Sequence, residues 1–204
     1  MRKAFTFIEL VIVVVIVGIL TAIAVSYFYR PDNLMLAKEE LILRLRYTQH
    51  LAVMDDKFEP DNVSWKYKRW QFHCNLANTS CSVFAPSATT GYASTLSDFA
   101  LDPMTRNYLT GGYGAIIGAT DERATPELSL GAARQIQSMT LNNCGGVPGD
   151  NFMISFDEIG RPYAFDGGVA KLLQNTCEIT LTHIDGESAK VCVEPETGRV
   201  HDGC

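Results

Sequence analysis

Cysteine is missing from the first 73 residues of this 204-residue chain, and charge is missing from Leu10 to Val25. The sequence also lacks Cys-x-x-Cys, any Cys/His pairing with zinc-site spacing, Gly-x-Ser-x-Gly and His-Glu-x-x-His. Those absences exclude a zinc-ribbon fold, a nucleophile-elbow hydrolase and a zincin protease. The four histidines, His50, His73, His183 and His201, are scattered, and Gly112 to Gly118 lacks the Gly-Lys-Ser/Thr ending of a phosphate loop. No enzyme, no cofactor and no metal site is expected. Aspartates beside glycine, Asp150, Asp166 and Asp185, are of a kind that can hold calcium, but their spacing matches no EF-hand and turn formation explains them as well.

Positive charge is also scarce. Lys and Arg number 17 against 23 Asp and Glu, a net of −6. Beyond Arg30 the counts are 14 against 22, a net of −8, which argues against a broad nucleic-acid-binding surface. What is present is 47% apolar residues, two of them tryptophan, enough for one domain with a real core. The six cysteines, Cys74, Cys81, Cys144, Cys177, Cys192 and Cys204, are an even set confined to the part after the apolar run. They imply disulfides and an oxidising compartment such as a periplasm. Fifteen pairings are open. Local ones are favoured, Cys74 with Cys81, Cys144 with Cys177 and Cys192 with Cys204, the last because both lie symmetrically about Gly198. Cys177 with Cys192 is the main competitor, since both flank Asp185-Gly186.

Two readings compete for MRKAFTFIELVIVVVIVGILTAIAV. A cleaved secretory signal has a basic start and an Ala22-Ile23-Ala24 site before Val25. Against it stands Glu9, which offsets Arg2 and Lys3. A retained helix with a short basic leader fits better, held with its N-terminus in the cytoplasm by those two cations. From Phe5 to Tyr29 the run has the roughly 20 residues that a spanning helix needs. An ionisable group in such a run costs roughly 2.5–3.5 kcal/mol at its centre and less near an end, so Glu9 calls for a partner.

AFTFIELVIVVVIVGILTAIA resembles the processing and assembly signal of type IV pilins and type II secretion pseudopilins. The resemblance implies removal of the leader by a prepilin peptidase between Ala4 and Phe5, N-methylation of Phe5, and Glu9 as the fifth mature residue. Ala4 departs from the glycine usual there and is expected to slow processing rather than abolish it. Cleavage creates an ammonium at Phe5. When the subunit leaves the membrane for a fibre, a neighbour's Glu9 can neutralise it and fix the axial register. The implied partners are other pilin subunits, the peptidase and the bacterial inner membrane, with the head in the periplasm and later on the fibre.

After Arg30-Pro31, where a kink or break is expected, Asp32 or Asn33 is a candidate N-cap. Leu34, Ala37, Leu41, Leu45, Thr48 and Ala52 then step by three or four, the stripe of an amphipathic helix, which Leu36, Ile42 and Leu43 are expected to widen. Strand signals follow in VSWKYKRWQFHC, CSVFA, IQSMTL, NFMISF, RPYAF, TCEITLTHI and KVCVE. Pro86 to Arg134 reads as a long insertion of loops with one short helix or strand. The expected class is α+β, a long N-terminal helix packed on a mainly antiparallel β head. The expected segments are a leader at 1–4, a transmembrane and assembly helix at 5–30, an amphipathic helix at 31–58 and a disulfide-bonded head at 59–204.

ISFDEIGRPY and the closing PETGRV are similar to the end of GspH/FimT-type minor pseudopilins, through Phe156, Gly160 and Arg161, then Pro195, Thr197, Gly198, Arg199 and Val200. That resemblance implies a minor pilin or pseudopilin. Some proteins of this kind bind DNA through a basic Gly-Arg-x-Arg tail, and here the second arginine is replaced by His201. WKYKRW, read as a strand, sets Lys66, Lys68 and Trp70 on one face and Trp65, Tyr67 and Arg69 on the other. Lys66, Lys68, Arg69 and Arg199 are therefore the candidate DNA-binding residues, a reading ranked below a purely structural role because of the acidic head.

Overall fold

The computed structural model describes residues 6–28, 32–145, 151–166 and 169–204, leaving aside the side chains of 23–28, 166 and 169. The chain divides into two compact units, Met1–Asp32 and Asn33–Cys204. The first holds one helix, α1 (Phe7–Phe28). Its first turn closes where the N–H groups of Glu9 and Leu10 donate to the Thr6 carbonyl at 3.1 and 3.3 Å. The Thr21 hydroxyl donates to the Val17 carbonyl at 2.7 Å, satisfying the one hydroxyl between Leu10 and Val25 within its own helix. The break expected at Arg30-Pro31 lies outside the described residues, as do Ala4, Phe5 and Asp150 and the side chain of Asp166.

The second unit starts with α2 (Asn33–Met54), directly after Asp32. Its buried face is Leu34, Ala37, Lys38, Leu41, Ile42, Leu45, Thr48 and Ala52, the stripe that the spacing predicts together with Ile42 and one lysine. Leu36 and Leu43 do not widen it: they are 40% and 54% exposed. Each lies two residues from a stripe position, about 200° of turn at ~100° per residue, which sets it on the opposite side of the helix.

Two antiparallel sheets receive α2. The first contains β1 (Gln71–Asn75), β2 (Ser80–Phe84), β4 (Asn151–Phe156), β5 (Pro162–Asp166) and β6 (Val169–Leu172), in the order β2-β1-β4-β5-β6. The second contains β3 (Ile136–Asn142), β7 (Cys177–His183), β8 (Ser188–Val193) and β9 (Val200–Asp202), in the order β3-β7-β8-β9. Helix α2 touches β1 and β4 of the first sheet and β7, β8 and β9 of the second, so one amphipathic helix closes a core shared by both. Phe72, Phe152, Ile154 and Phe156 enter that core from one sheet, and Ile179, Leu181, Val191 and Val193 from the other. In β7, buried residues alternate with half-exposed ones, the pattern of a strand with one dry face.

Strand β4 is buried at every position from Phe152 to Phe156, because a second core covers its other side. Residues 86–134 supply that cover. The excursion carries short 3-10 turns at Leu96–Asp98 and Pro126–Leu128 and one short helix, α3 (Leu130–Arg134). It is tied to β2 by bridges pairing Phe84 with Phe99 and Ser82 with Thr110. Phe84, Phe99, Ile117, Met153 and Phe165 pack together beneath it. At its start Asp98 is buried and accepts from the N–H groups of Ser94, Thr95 and Ser87 at 2.7, 3.1 and 3.1 Å. Burial alone would raise its pKa, but those hydrogen bonds outweigh it and hold the carboxyl below its ordinary value. Arg44 of α2 fastens the excursion to the helix, bonding Glu40 at 2.7 Å and Asp102 at 2.9 Å.

Residues 63–70 are not part of a strand. Trp65–Lys68 is a 3-10 turn, and β1 begins only at Gln71. Turn chemistry overrides the alternating pattern here: the Asn62 side chain accepts from Ser64 N–H at 3.0 Å and its carbonyl from Trp65 N–H at 2.9 Å. Strand β6, of four residues, carries no strand signal in the sequence, being too short to show a period, whereas β9, of three, is the return strand of a turn near Gly198.

The three disulfides are Cys74–Cys81, Cys144–Cys177 and Cys192–Cys204. Cys74 and Cys81 are directly opposed in the β1-β2 hairpin. Cys144 joins the segment after β3 to the first residue of β7. The β8-β9 hairpin is not centred on Gly198: its register opposes Cys192 to His201, and Cys204 reaches Cys192 from beyond the strand end.

Candidate functional site

In α1 the large apolar side chains from Phe7 to Leu20 are all 40–81% exposed. A helix apolar on every side needs lipid or other helices around it, and Glu9 in its first turn is the one charged group between Thr6 and Val25. Among the described residues no helix is long and apolar enough to cross a membrane. The described side chains of α1 end at Ala22, whereas the uncharged sequence runs on to Tyr29.

In the second unit the two sequence motifs of the C-terminal third meet. The turn joining β4 to β5 and the turn joining β8 to β9 lie side by side under Gln49 of α2. The Gln49 Nε2 group donates to the Gly160 carbonyl at 2.8 Å and to the Thr197 carbonyl at 3.0 Å. Gly198, at φ +64°, lies so close that a Cβ there would meet the Gly160 oxygen at 2.4 Å and Gln49 Nε2 at 2.6 Å. Positive φ and close approach both demand glycine at 198. Asp157 is buried and braces the first turn, accepting from Arg161 Nε at 2.7 Å and Arg161 N–H at 2.8 Å, and the guanidinium's pKa is raised by that hydrogen bond and charge. The second turn leads into β9, whose Val200 carbonyl accepts from Arg46 Nη2 at 2.7 Å and Nε at 3.1 Å. Asp202 takes the buried Lys38 ammonium at 3.1 Å. Sequence reading missed Gln49, and the signal available was its place on the helix beside the buried stripe.

The candidate cations do not gather into a patch on one strand face. Arg69 is buried, its guanidinium held between the rings of Trp65 and Tyr163 at 4.3 and 4.2 Å. Lys68 pairs with Glu59 at 3.2 Å, and Lys66 sits 5.6 Å over the Tyr67 ring. Arg199 is exposed. His201, which stands where the second arginine of the basic tail would be, is held by Glu194 at 2.8 Å. That hydrogen bond raises the imidazole's pKa and lowers the carboxyl's, so the charge gained on protonation is met within the head. Asp185 bonds His183 Nδ1 at 2.9 Å and Glu187 N–H at 3.1 Å, a turn use of the residue. Among the described residues no three potential metal ligands converge.

An all-round apolar helix with a carboxylate in its first turn is followed in the chain by a helix packed on antiparallel sheets. The profile described as "Prokaryotic N-terminal methylation motif" matches residues 1–25, so the chain is prepilin-like and carries the processing motif of the type IV pilin and pseudopilin family. The motif implies anchoring in the inner membrane, processing by a prepilin peptidase and assembly with other pilins. Neither the curated proteins nor the solved structures compared with this chain include one that matches it.

Proposed function

We propose that this chain is a minor pilin or pseudopilin of GspH/FimT type, serving a type IV pilus or a type II secretion pseudopilus. The peptidase cuts between Ala4 and Phe5, Phe5 is methylated, and residues 5–30 then act as both membrane anchor and fibre contact. The head, 59–204, rides on the amphipathic segment 31–58 and is exposed first in the periplasm and then on the fibre. The observation that carries this reading is α1, whose exposed apolar side chains leave Glu9 as the lone charge. In a bundle of such helices a carboxylate is tolerated only with a cation beside it, and the amino group created at a neighbour's Phe5 is that cation. The minor, GspH/FimT-type role is supported by the two turn motifs, which the single side chain of Gln49 joins.

Glu9→Val tests the pairing. The substitution keeps the helix apolar and its length unchanged, so membrane insertion and leader removal should persist while co-purification with the fibre is lost. Undiminished incorporation of the variant would contradict the charge pair and favour a Glu9 that simply stays at the cytoplasmic interface.

A further inference from the structure

Where β1, β2 and β4 meet the excursion, the head has an open hollow of about 220 Å³. It is lined by His73 and Asn75 of β1, Asn78 of the hairpin turn, Asn151 of β4, and Tyr92 and Tyr113 of the excursion. Among the described residues no Asp, Glu, Lys or Arg lines it. His73 is 6% exposed, with its ring against Phe84 and Tyr113 at 5.9 and 5.3 Å. Burial lowers its pKa to about 4, against a smaller opposing effect of its hydrogen bond with Asn151, so the imidazole is neutral, with one ring nitrogen engaged by Asn151 and the other left as a single donor or acceptor. Tyr92 is 38% exposed at the mouth.

The amide orientations are fixed by the turn. Asn75 Oδ1 accepts from the N–H groups of Ala77 and Asn78 at 3.0 and 3.3 Å, and Asn78 Oδ1 accepts from Ser80 N–H at 3.1 Å. Backbone donors require oxygen at those positions, which leaves the NH2 groups of both residues as donors for a ligand. Ser80 is committed, its hydroxyl donating to the Gly112 carbonyl at 3.1 Å. A charged ligand would find no counter-ion among the described residues and would forfeit its hydration. A purely apolar one would bury unpaired amides. The volume is below the roughly 300–1,000 Å³ of drug-sized sites, so the ligand is one ring. What remains is a neutral group with hydroxyls on its edge and C–H bonds on its face.

We propose that this hollow binds a single neutral sugar ring, the C–H face against Tyr92 and Tyr113 and the hydroxyls on Asn75, Asn78 and His73. The ring comes either as a free sugar or as a residue of a glycan chain. The test uses the full chain in lipid nanodiscs, free of sugar detergents, and saturation-transfer NMR. The probes are the methyl glycosides of glucose, galactose, mannose and N-acetylglucosamine and the oligosaccharides built from them, with sialic acid as an anionic comparison. At least one neutral glycoside should receive saturation, with sialic acid receiving none. A response to the methyl glycoside alone marks a free sugar, and a stronger one to an oligosaccharide marks a glycan. Tyr92→Ala and Asn78→Asp, both at exposed positions, should each weaken binding about tenfold, the loss of one good contact. Asn78→Asp retains the oxygen that caps Ser80 N–H and replaces the NH2 donor with a charged oxygen that can only accept. Saturation of no neutral probe, preference for sialic acid, or binding unchanged by either variant would overturn the proposal.

Discussion

Gln49 on α2 donates one amide hydrogen to Gly160 at 2.8 Å, and the other goes to Thr197 at 3.0 Å. Two turns separated by more than 30 residues of sequence are thereby fixed to each other and to the helix that follows α1 in the chain. Gln49→Leu leaves two carbonyls unpaired in a crowded site, at a cost of about 1–3 kcal/mol. Gly198→Ala adds the strain of positive φ to a Cβ that meets the Gly160 oxygen at 2.4 Å, and should cost more than the roughly 1–2 kcal/mol of the backbone conformation alone. Urea unfolding of each variant checks both figures, and wild-type midpoints would contradict the role given to this junction.

Acid should weaken the head through His73. Its folded pKa, pushed down to about 4 by burial, lies below the unfolded 6.5. The unfolded chain therefore takes up the proton first, and stability present above pH 6.5 is lost as pH falls towards 4. At pH 5 the loss is about 2 kcal/mol. His201 acts with the opposite sign: its raised pKa makes the Glu194 pair strongest below pH 6.5 and weakens it as pH rises through the folded value. That pair lies at the surface and is the smaller effect. Thermal melts from pH 7.5 to 4.5 should fall on acidification, and His73→Gln should flatten most of the decline.

Removing disulfides should rank them by loop length. Cys144–Cys177 closes a separation of 33 residues and Cys74–Cys81 one of 7, so the loop-closure account makes the former worth about 1 kcal/mol more. Paired Cys-to-Ser variants compared by urea unfolding measure that difference, and equal losses would contradict it.

Arg69→Ala should destabilise the head and leave DNA binding unaffected, since the guanidinium is enclosed by Trp65 and Tyr163. Losing two cation-π contacts and their packing should cost about 1–3 kcal/mol. Lys66 and Arg199 then stand against an acidic head, and duplex binding at physiological salt is expected to be weaker than about 10⁻⁶ M. Tighter binding that is lost in Lys66→Ala/Arg199→Ala would instead favour a role in DNA uptake.

These predictions also mark what the sequence could convey. The α2 stripe was legible because eight buried residues repeat a helical period over 22 positions, and β3, β4, β5 and β7 were legible because each has at least five residues of pattern. Lys66 to Trp70 misled because an alternation of basic and aromatic residues arises equally when a 3-10 turn wraps rings around one arginine. The second core was hidden because Phe99 and Ile117 come from an excursion with no period. Gln49 was hidden because a polar residue beside a buried stripe reads as solvent-facing until its two distant acceptors are in place. The sugar-sized hollow depends on residues from β1, β4 and the excursion, which only the fold assembles.

The central claim is that the N-terminal helix is a processed and retained assembly element, and mass spectrometry of the mature N-terminus tests it most directly. The account predicts a chain beginning at N-methylated Phe5, cut after Ala4. A chain beginning at Val25, released after Ala24 as a secretory signal would be, would contradict it.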